Sequence, residues 1–412
     1  MNMTTSQQQL SANIRKLYIL RFFHSLIPAY VIERLYWEQR GMSIQEVVYT
    51  EIIYAAAIVL LEVPLGIAAD KWGRKNLLLL DAVLACFEFL LLLFATEFWH
   101  FALIVGLAGV GRSASSGAED ALLYDTLQAQ GTGEERRFEQ VVGRLRACDI
   151  SATIIAALCG SLLASRFELE LNYWLSLGAT LISLVFAFSL REPQRAAAEG
   201  THTEEGTESV PSASIATYLR DAAKFFAASP SVCLVVLSGM VLGVSVTFVE
   251  EFWQTYLDRA GIPVIWFGLF SAGIFLLQLP GNLLAHALVG RARYRTILTT
   301  VLVVFAAGLA LLSVTSASPA VGLAAIGAIC LAAGITEPVV AGYVQHRAPS
   351  GMRATIGSFQ SFGENAAMVL VGLGFGYFSM KHDIYGGFGT LAALCAAFLA
   401  WFYAYGRRRM DE

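Results

Sequence analysis

Charge is what this sequence has least of. Asp, Glu, Lys and Arg make up 15% of its 412 residues against 56% hydrophobic side chains, whereas soluble domains carry roughly 25% charged residues. A water-soluble globule of this length would lack the polar material to coat itself. Cysteine is also sparse. Cys86, Cys148, Cys159, Cys233, Cys330 and Cys395 lie in or beside apolar runs, at no metal-ligand spacing and with no disulfide framework. Each reads as a small buried hydrophobe, and no metal is expected. A net charge of −4 without any basic tract interleaved with aromatics argues against nucleic acid as a partner. The HExxH, GxSxG and phosphate-loop patterns are missing, so nothing points to an enzyme or calls for a cofactor. The first residues lack a basic segment followed by a short apolar core and a cleavage site, so no removed signal peptide is expected.

Long apolar runs are what the sequence has instead. Twelve reach the roughly 20 residues that span a bilayer: 17–37, 48–69, 77–95, 99–122, 146–165, 171–190, 231–253, 264–288, 296–314, 319–341, 356–378 and 384–405. With the N-terminus inside, 22 of the 28 Lys and Arg residues, Arg21 among them, fall on the cytoplasmic side. Five fall on the other side, and Arg112 lies mid-span. This asymmetry places both termini in the cytoplasm, as a multi-pass protein of the cytoplasmic (inner) membrane embedded in lipid.

The longest polar stretch separates an N-terminal half (1–190) from a C-terminal half (230–412), with a cytoplasmic linker at 191–229. The linker's first part, "AAAEGTHTEEGTESVPSAS", is too acidic and too poor in apolar residues to order itself. Its second, "SIATYLRDAAKFF", spaces Ile215, Tyr218, Leu219, Ala222, Phe225 and Phe226 as an amphipathic helix on the membrane surface. The halves repeat each other. "LLEVPLGIAADKWGR" (60–74) aligns with "LLQLPGNLLAHALVGR" (276–291), and "YWEQRGMS" (36–43) with "YLDRAGIP" (256–263). A duplicated six-span unit marks secondary transporters.

Within the first repeat, "GIAADKWGRK" resembles the loop between spans 2 and 3 of the major facilitator superfamily, whose pattern is G-x-x-x-D-[RK]-x-G-R-[RK]. Gly66, Asp70, Lys71, Gly73, Arg74 and Lys75 each match; in the second half His286 replaces the acid. The resemblance implies an all-α membrane fold of twelve transmembrane helices in two pseudo-symmetric six-helix halves. It also implies alternating access to a small-molecule substrate and no enzymatic activity. In the family the Asp caps the cytoplasmic start of span 11 and the Arg joins a charge network. A carboxylate at a helix N-terminus is worth roughly 0.3–1 kcal/mol when exposed and up to ~2 when partly buried, enough for a conformational latch. A solvated positive-inside loop explains Lys71 and Lys75 equally well, but not Asp70.

Ionisable residues inside a membrane are costly and usually functional. Glu62, Glu119, Asp149, Glu337 and Glu364 are the candidate proton carriers, Glu62 and Glu119 foremost; the competing reading of each is a static interhelical hydrogen bond. Arg112 shares a helix face with Ser116 and Glu119, either as a working cation or as half of a structural pair. It resembles the R-x-x-x-G motif of proton antiporters, except that Gly117 comes five residues on. The antiporter span 5 pattern G-x-x-x-G-P-x-x-G-G keeps only Gly160, with Ala156, Ser161 and Ala164 elsewhere. Glu33, Glu38, Glu250 and Glu251 read as headgroup-solvated. His24 and Tyr30 of span 1, with Phe248 and Trp253 of span 7, are candidate substrate contacts for a planar or amphipathic ligand, or else plain packing. The expectation is a monomeric, proton-coupled exporter of a small amphipathic or weakly basic molecule. The alternatives are an importer of a nutrient or metabolite and a non-transporting membrane sensor, against which the intact latch motif argues.

Overall fold

A computed structural model describes residues 5–116, 118–129, 138–193, 229–314, 318–347 and 353–406. Every regular element among them is helical. They are α1 (Thr5–Ser25), a 3-10 turn (Pro28–Ile32), α2 (Glu33–Gln39), α3 (Ile44–Trp72), α4 (Arg74–Leu92), α5 (Phe98–Ser115), α6 (Ala118–Gln128), α7 (Phe138–Ala164) and α8 (Glu170–Ser189). The second half contributes α9 (Pro230–Arg259), a 3-10 turn (Val264–Trp266), α10 (Phe267–Val289), α11 (Tyr294–Val314), α12 (Pro319–Arg347) and α13 (Arg353–Gly406). α13 is two helices joined at a sharp break, where His382 and Asp383 leave helical geometry.

The described parts of the twelve apolar runs are mostly helical, but run 1 breaks after Ser25 and run 4 is divided between α5 and α6. Nine helical segments among the described residues are long and apolar enough to cross a membrane, and the last of them, Gly363–Gly406, takes in the expected span 384–405 and most of 356–378. Runs 1 and 3 do not qualify, for a physical reason. α1 carries Arg15, Lys16 and Arg21 and breaks before Pro28; α4 carries Arg74, Lys75, Asp81 and Glu88. These are the polar helices of the first half. The amphipathic helix expected at 215–226 lies outside the described residues.

The chain divides into two compact units: Met1–Met42 with Tyr49–Thr203 and Pro263–Ser271, and Ser43–Val48 with Glu204–Ile262 and Ala272–Glu412. The division departs from a plain cut in the linker because of two short segments. Gln45 and Val48 pack beside Gly376 in the second unit, and Gly268 lies against Ala157 and Ser161 in the first.

In the first unit α4 packs on α5 and α8, and α1 on α7 and α8. One core cluster includes Leu17, Leu20, Leu77, Leu122 and Leu145; near the other end of α4, beside Phe89, Tyr36 stacks on Tyr173 with ring centroids 4.0 Å apart. Gly160 lets α7 approach the broken first span. A Cβ there would stand 2.5 Å from the Pro28 carbonyl oxygen and 2.9 Å from Val31 Cγ1. The small-residue spacing of span 5 therefore survives as close packing. In the second unit α11 packs on α12 and α13, and α9 on α12 and α13. Phe248, Phe252, Phe375 and Phe388 form its aromatic centre, with the Phe248 and Phe375 rings 4.6 Å apart. α10 and α12 meet backbone to backbone, where a Cβ on Gly281 or Gly334 would run into the Leu331 or Gln278 carbonyl. Cys86, Cys330 and Cys395 are buried as expected, but Cys159 is exposed on α7.

Candidate functional site

The turn between α3 and α4 is built on Gly73, whose φ of 95° and ψ of 144° suit glycine alone. It reverses the chain so that α4 starts with two free amides, and Glu192, just past α8, takes both. Arg74 N donates to Glu192 Oε1 at 3.0 Å and Lys75 N to Oε2 at 2.8 Å. A carboxylate on a helix N-terminus satisfies orphan donors and complements the dipole. The Arg74 guanidinium turns the other way, donating to the Ala121 carbonyl at 2.6 Å and pairing with Asp125 of α6. Asn13 and Arg191 exchange two hydrogen bonds nearby, and Lys16 donates to the Ser189 carbonyl. The motif is thus tied to the root of the linker. Lys71 is exposed, and a Cβ on Gly66 would meet nothing within 4 Å. The side chain of Asp70, and with it the expected cap on span 11, lies outside the described residues.

Deeper in the first unit a charge constellation joins α1, α4, α5, α6 and α7. Arg21 Nη1 lies 3.2 Å from Glu119 Oε2, and Arg21 Nη2 lies 3.5 Å from Asp149 Oδ2. Ser25 also donates to Asp149. His24 Nε2 stands 3.9 Å from Asp81 Oδ2, and Asp81 accepts from Ser115 within the field of Arg112. These groups are half-buried: the side chains of Arg21, Glu119 and Asp81 are 26%, 17% and 15% exposed. One sequence expectation is corrected here. Arg21, counted from sequence only for topology, is also the hub of this network. Arg112 does not share a continuous helix face with Glu119, because α5 ends at Ser115 and Ser116 turns extended (ψ 118°); Glu119 restarts on α6 and pairs with Arg21.

The second unit holds a cavity of about 590 Å³ between α9, α10, α12 and α13. Glu250, Glu337 and Glu364 line it, with Gln278, Asn282, Asn365, Thr247 and Thr336 and an apolar side that includes Leu242, Val246 and Met368. Gln278 Nε2 donates to Glu250 Oε1 at 2.6 Å. No Lys, Arg or His is among the lining residues. Among the described residues no group of three His, Cys, Asp or Glu converges closely enough to hold a metal ion. Glu250, read from sequence as headgroup-solvated, is instead a wall of this cavity.

The remaining expectations divide. Glu337 and Glu364 reach the cavity. Glu62 is exposed on α3, and its repeat partner Gln278 is the residue with a visible role. Phe248 and Trp253 are 1% and 5% exposed and belong to the packed core. Tyr30 is half exposed beside Phe89, with ring centroids 5.9 Å apart. Sequence reasoning missed Arg21, Asp81, Glu192 and Glu250. Only Asp81, an acid inside an apolar helix, carried a local signal.

Among the described residues every regular element is helical and the apolar spans recur, with charge buried inside one unit and a polar cavity in the other, the architecture of a multi-pass membrane protein. Residues 18–372 match the Major Facilitator Superfamily, and the chain belongs to that family of transporters. An uncharacterized transporter of Buchnera aphidicola subsp. Schizaphis graminum (strain Sg) is 26% identical over 140 residues. That stretch is 34% of this chain, and it spans only 33% of the relative's length. Among solved structures the nucleoside transporter NupG is similar with a TM-score of 0.75 at 15% identity, over 97% of this chain and 99% of that one. The peptide transporter POT in complex with sulfate has a TM-score of 0.70 at 14% identity, covering 99% of both chains. The D-xylose-proton symporter has a TM-score of 0.65 at 12% identity, over 94% of this chain and 95% of that one.

Proposed function

We propose that the protein is a monomeric, proton-coupled secondary transporter of the cytoplasmic (inner) membrane, with both termini inside, that exports a small amphipathic or weakly basic molecule. The observation that supports this reading is Arg21 shared between Glu119 and Asp149 on three different helices. Around it stand Asp81, Asp120, His24 and Arg112, so carboxylates outnumber guanidiniums. Such a network is a two-state element. Protonating Glu119 or Asp149 removes one of the two charges holding Arg21 and frees α1 to shift against α6 and α7. A proton taken up from one side then biases the equilibrium between access states.

The amide-rich lining of the second-unit cavity favours one alternative, an importer of a hydroxylated metabolite. The direction of coupling separates the two. In liposomes containing the purified protein and a trapped pH dye, a downhill flux of dansylcadaverine above that of protein-free liposomes should drive protons the opposite way. Protons moving with the solute instead would favour the importer, and the absence of any protein-dependent flux of amines, sugars or nucleosides would leave only the sensor reading.

A further inference from the structure

We infer that Glu88 of α4 is a second proton-binding residue, reached from the outer face and feeding the Arg21 network. The inference rests on the proton-coupled transporter reading above and extends its path. It begins from position. α4 starts at the cytoplasmic turn and Glu88 is its fifteenth residue of 19, so in the proposed orientation it lies in the outer part of the span. Seven residues separate it from Asp81, which keeps both on one face of the helix. Glu88 is half-buried, next to the buried Phe89, whereas Phe87 and Leu91 are exposed. The groups that face it are of one kind. Glu33 of α2 and Asp81 both turn negative charge toward it, and Tyr30 of the first 3-10 turn presents a phenol. The cations of this region are engaged by other acids: Arg34 by Glu51 at 2.6 Å, Arg40 by Glu170, and His24 by Asp81 at 3.9 Å. A carboxylate facing two others out of water is penalised, and a proton on Glu88 removes the repulsion from both sides.

A second feature lies beside these acids and points to the same role. Trp37 Nε1 and Tyr173 Oη are buried against each other, yet neither completes a hydrogen bond among the described residues. Tyr173 also lies in the field of Glu33. Phe89 ties the two features together, its ring centroid 5.9 Å from that of Tyr30 and 6.3 Å from that of Tyr173. Buried hydrogen-bonding groups left over in this way are ordinarily met by water. Water held between Tyr173 and Glu33 brings a proton to Glu88 from the outer side. Asp81, about 10 Å further along the helix axis, relays it to His24 and into the field of Arg21.

The test is infrared titration of the purified full-length protein in liposomes, read on the C=O stretch of protonated carboxyl groups. Wild type should show a component of that band that disappears as the pH is stepped from mildly acidic to mildly alkaline. Glu88→Gln should remove this component, and Glu88→Asp should restore it at a shifted frequency. Glu33→Gln should move its disappearance to more acidic pH, because a neutral neighbour no longer repels the Glu88 carboxylate. That variant decides the matter where Glu88→Gln fails to fold. In the same liposomes Glu88→Gln should lose the proton counterflow that dansylcadaverine drives through wild type. A band untouched by Glu88→Gln, a titration unmoved by Glu33→Gln, or counterflow undiminished in Glu88→Gln overturns the inference. Undiminished counterflow would at the same time leave the proton-coupled transporter reading standing. Loss of the band in Glu88→Gln, from a protein that moves no solute across liposomes, would keep Glu88 as a proton site and sink the transporter reading.

Discussion

Replacing Glu192 with Gln should loosen the α3–α4 turn without unfolding either helix. The carboxylate accepts from two backbone amides, Arg74 N at 3.0 Å and Lys75 N at 2.8 Å, and both belong to the exposed first turn of α4. A negative charge at such a terminus contributes roughly 0.3–1 kcal/mol. A net hydrogen bond adds about 0.5–1.5 kcal/mol, of which solvent at this exposed position removes a large part. The glutamine retains one acceptor oxygen, so one bond and the charge are lost, a total of about 0.5–1.5 kcal/mol. That corresponds to a local opening about 2–13 times more populated. Amide exchange measured by mass spectrometry on peptides covering 70–78 reads this directly, because exchange of exposed helix ends follows local opening. The Arg74 side chain is held independently by Ala121 and Asp125, so Asp125→Asn is the control: it should release the side chain while leaving Lys75 N protected. Unchanged exchange in Glu192→Gln would show that the cap contributes nothing and that the turn is held by its glycine geometry alone.

Other outcomes follow from the same structure. Gly160→Val should cost about 1–3 kcal/mol, the usual penalty of overpacking, seen as a lower thermal unfolding midpoint, because its Cβ would stand 2.5 Å from the Pro28 carbonyl; an unchanged midpoint would mean that α7 does not pack as described. Asp70→Asn should slow transport several-fold while expression and membrane insertion stay near wild type; an unaltered rate would reduce the motif to a topology signal. A single cysteine at position 205 should react with an impermeant maleimide only when the cytoplasmic face is exposed, and labelling of intact cells would reverse the proposed orientation.

Much of the fold was legible in the sequence because bilayer thickness fixes the length of an apolar run, and ten of the twelve runs lie wholly or mostly in helical segments apolar enough to cross a membrane. Contacts between helices were not legible. Arg21 and Asp149 are 128 positions apart, and periodicity assigns a residue to a helix without fixing which neighbour that helix turns toward. Counting cations for topology therefore gave Arg21 a side of the membrane but not its partners on α6 and α7. Arg112 misled for a different reason: no proline announces the end of α5, and the i+7 face shared with Glu119 exists only if the helix continues. Glu250 lies near the end of a run, where a headgroup partner is the default. Only the fold of α10 against α12 brings Gln278 to it. The matching prolines Pro64 and Pro280, by contrast, both sit inside helices, as the internal repeat implies.

The claim that matters most is that the Arg21 network carries the coupling proton. Gradient-driven transport and downhill exchange of the same solute, measured side by side in liposomes, test it most directly for Glu62→Gln, Glu119→Gln, Asp149→Asn, Glu337→Gln and Glu364→Gln. The network predicts that Glu119→Gln or Asp149→Asn abolishes accumulation driven by a pH gradient while exchange continues at near the wild-type rate. Retention of gradient-driven accumulation by both of these variants would contradict it.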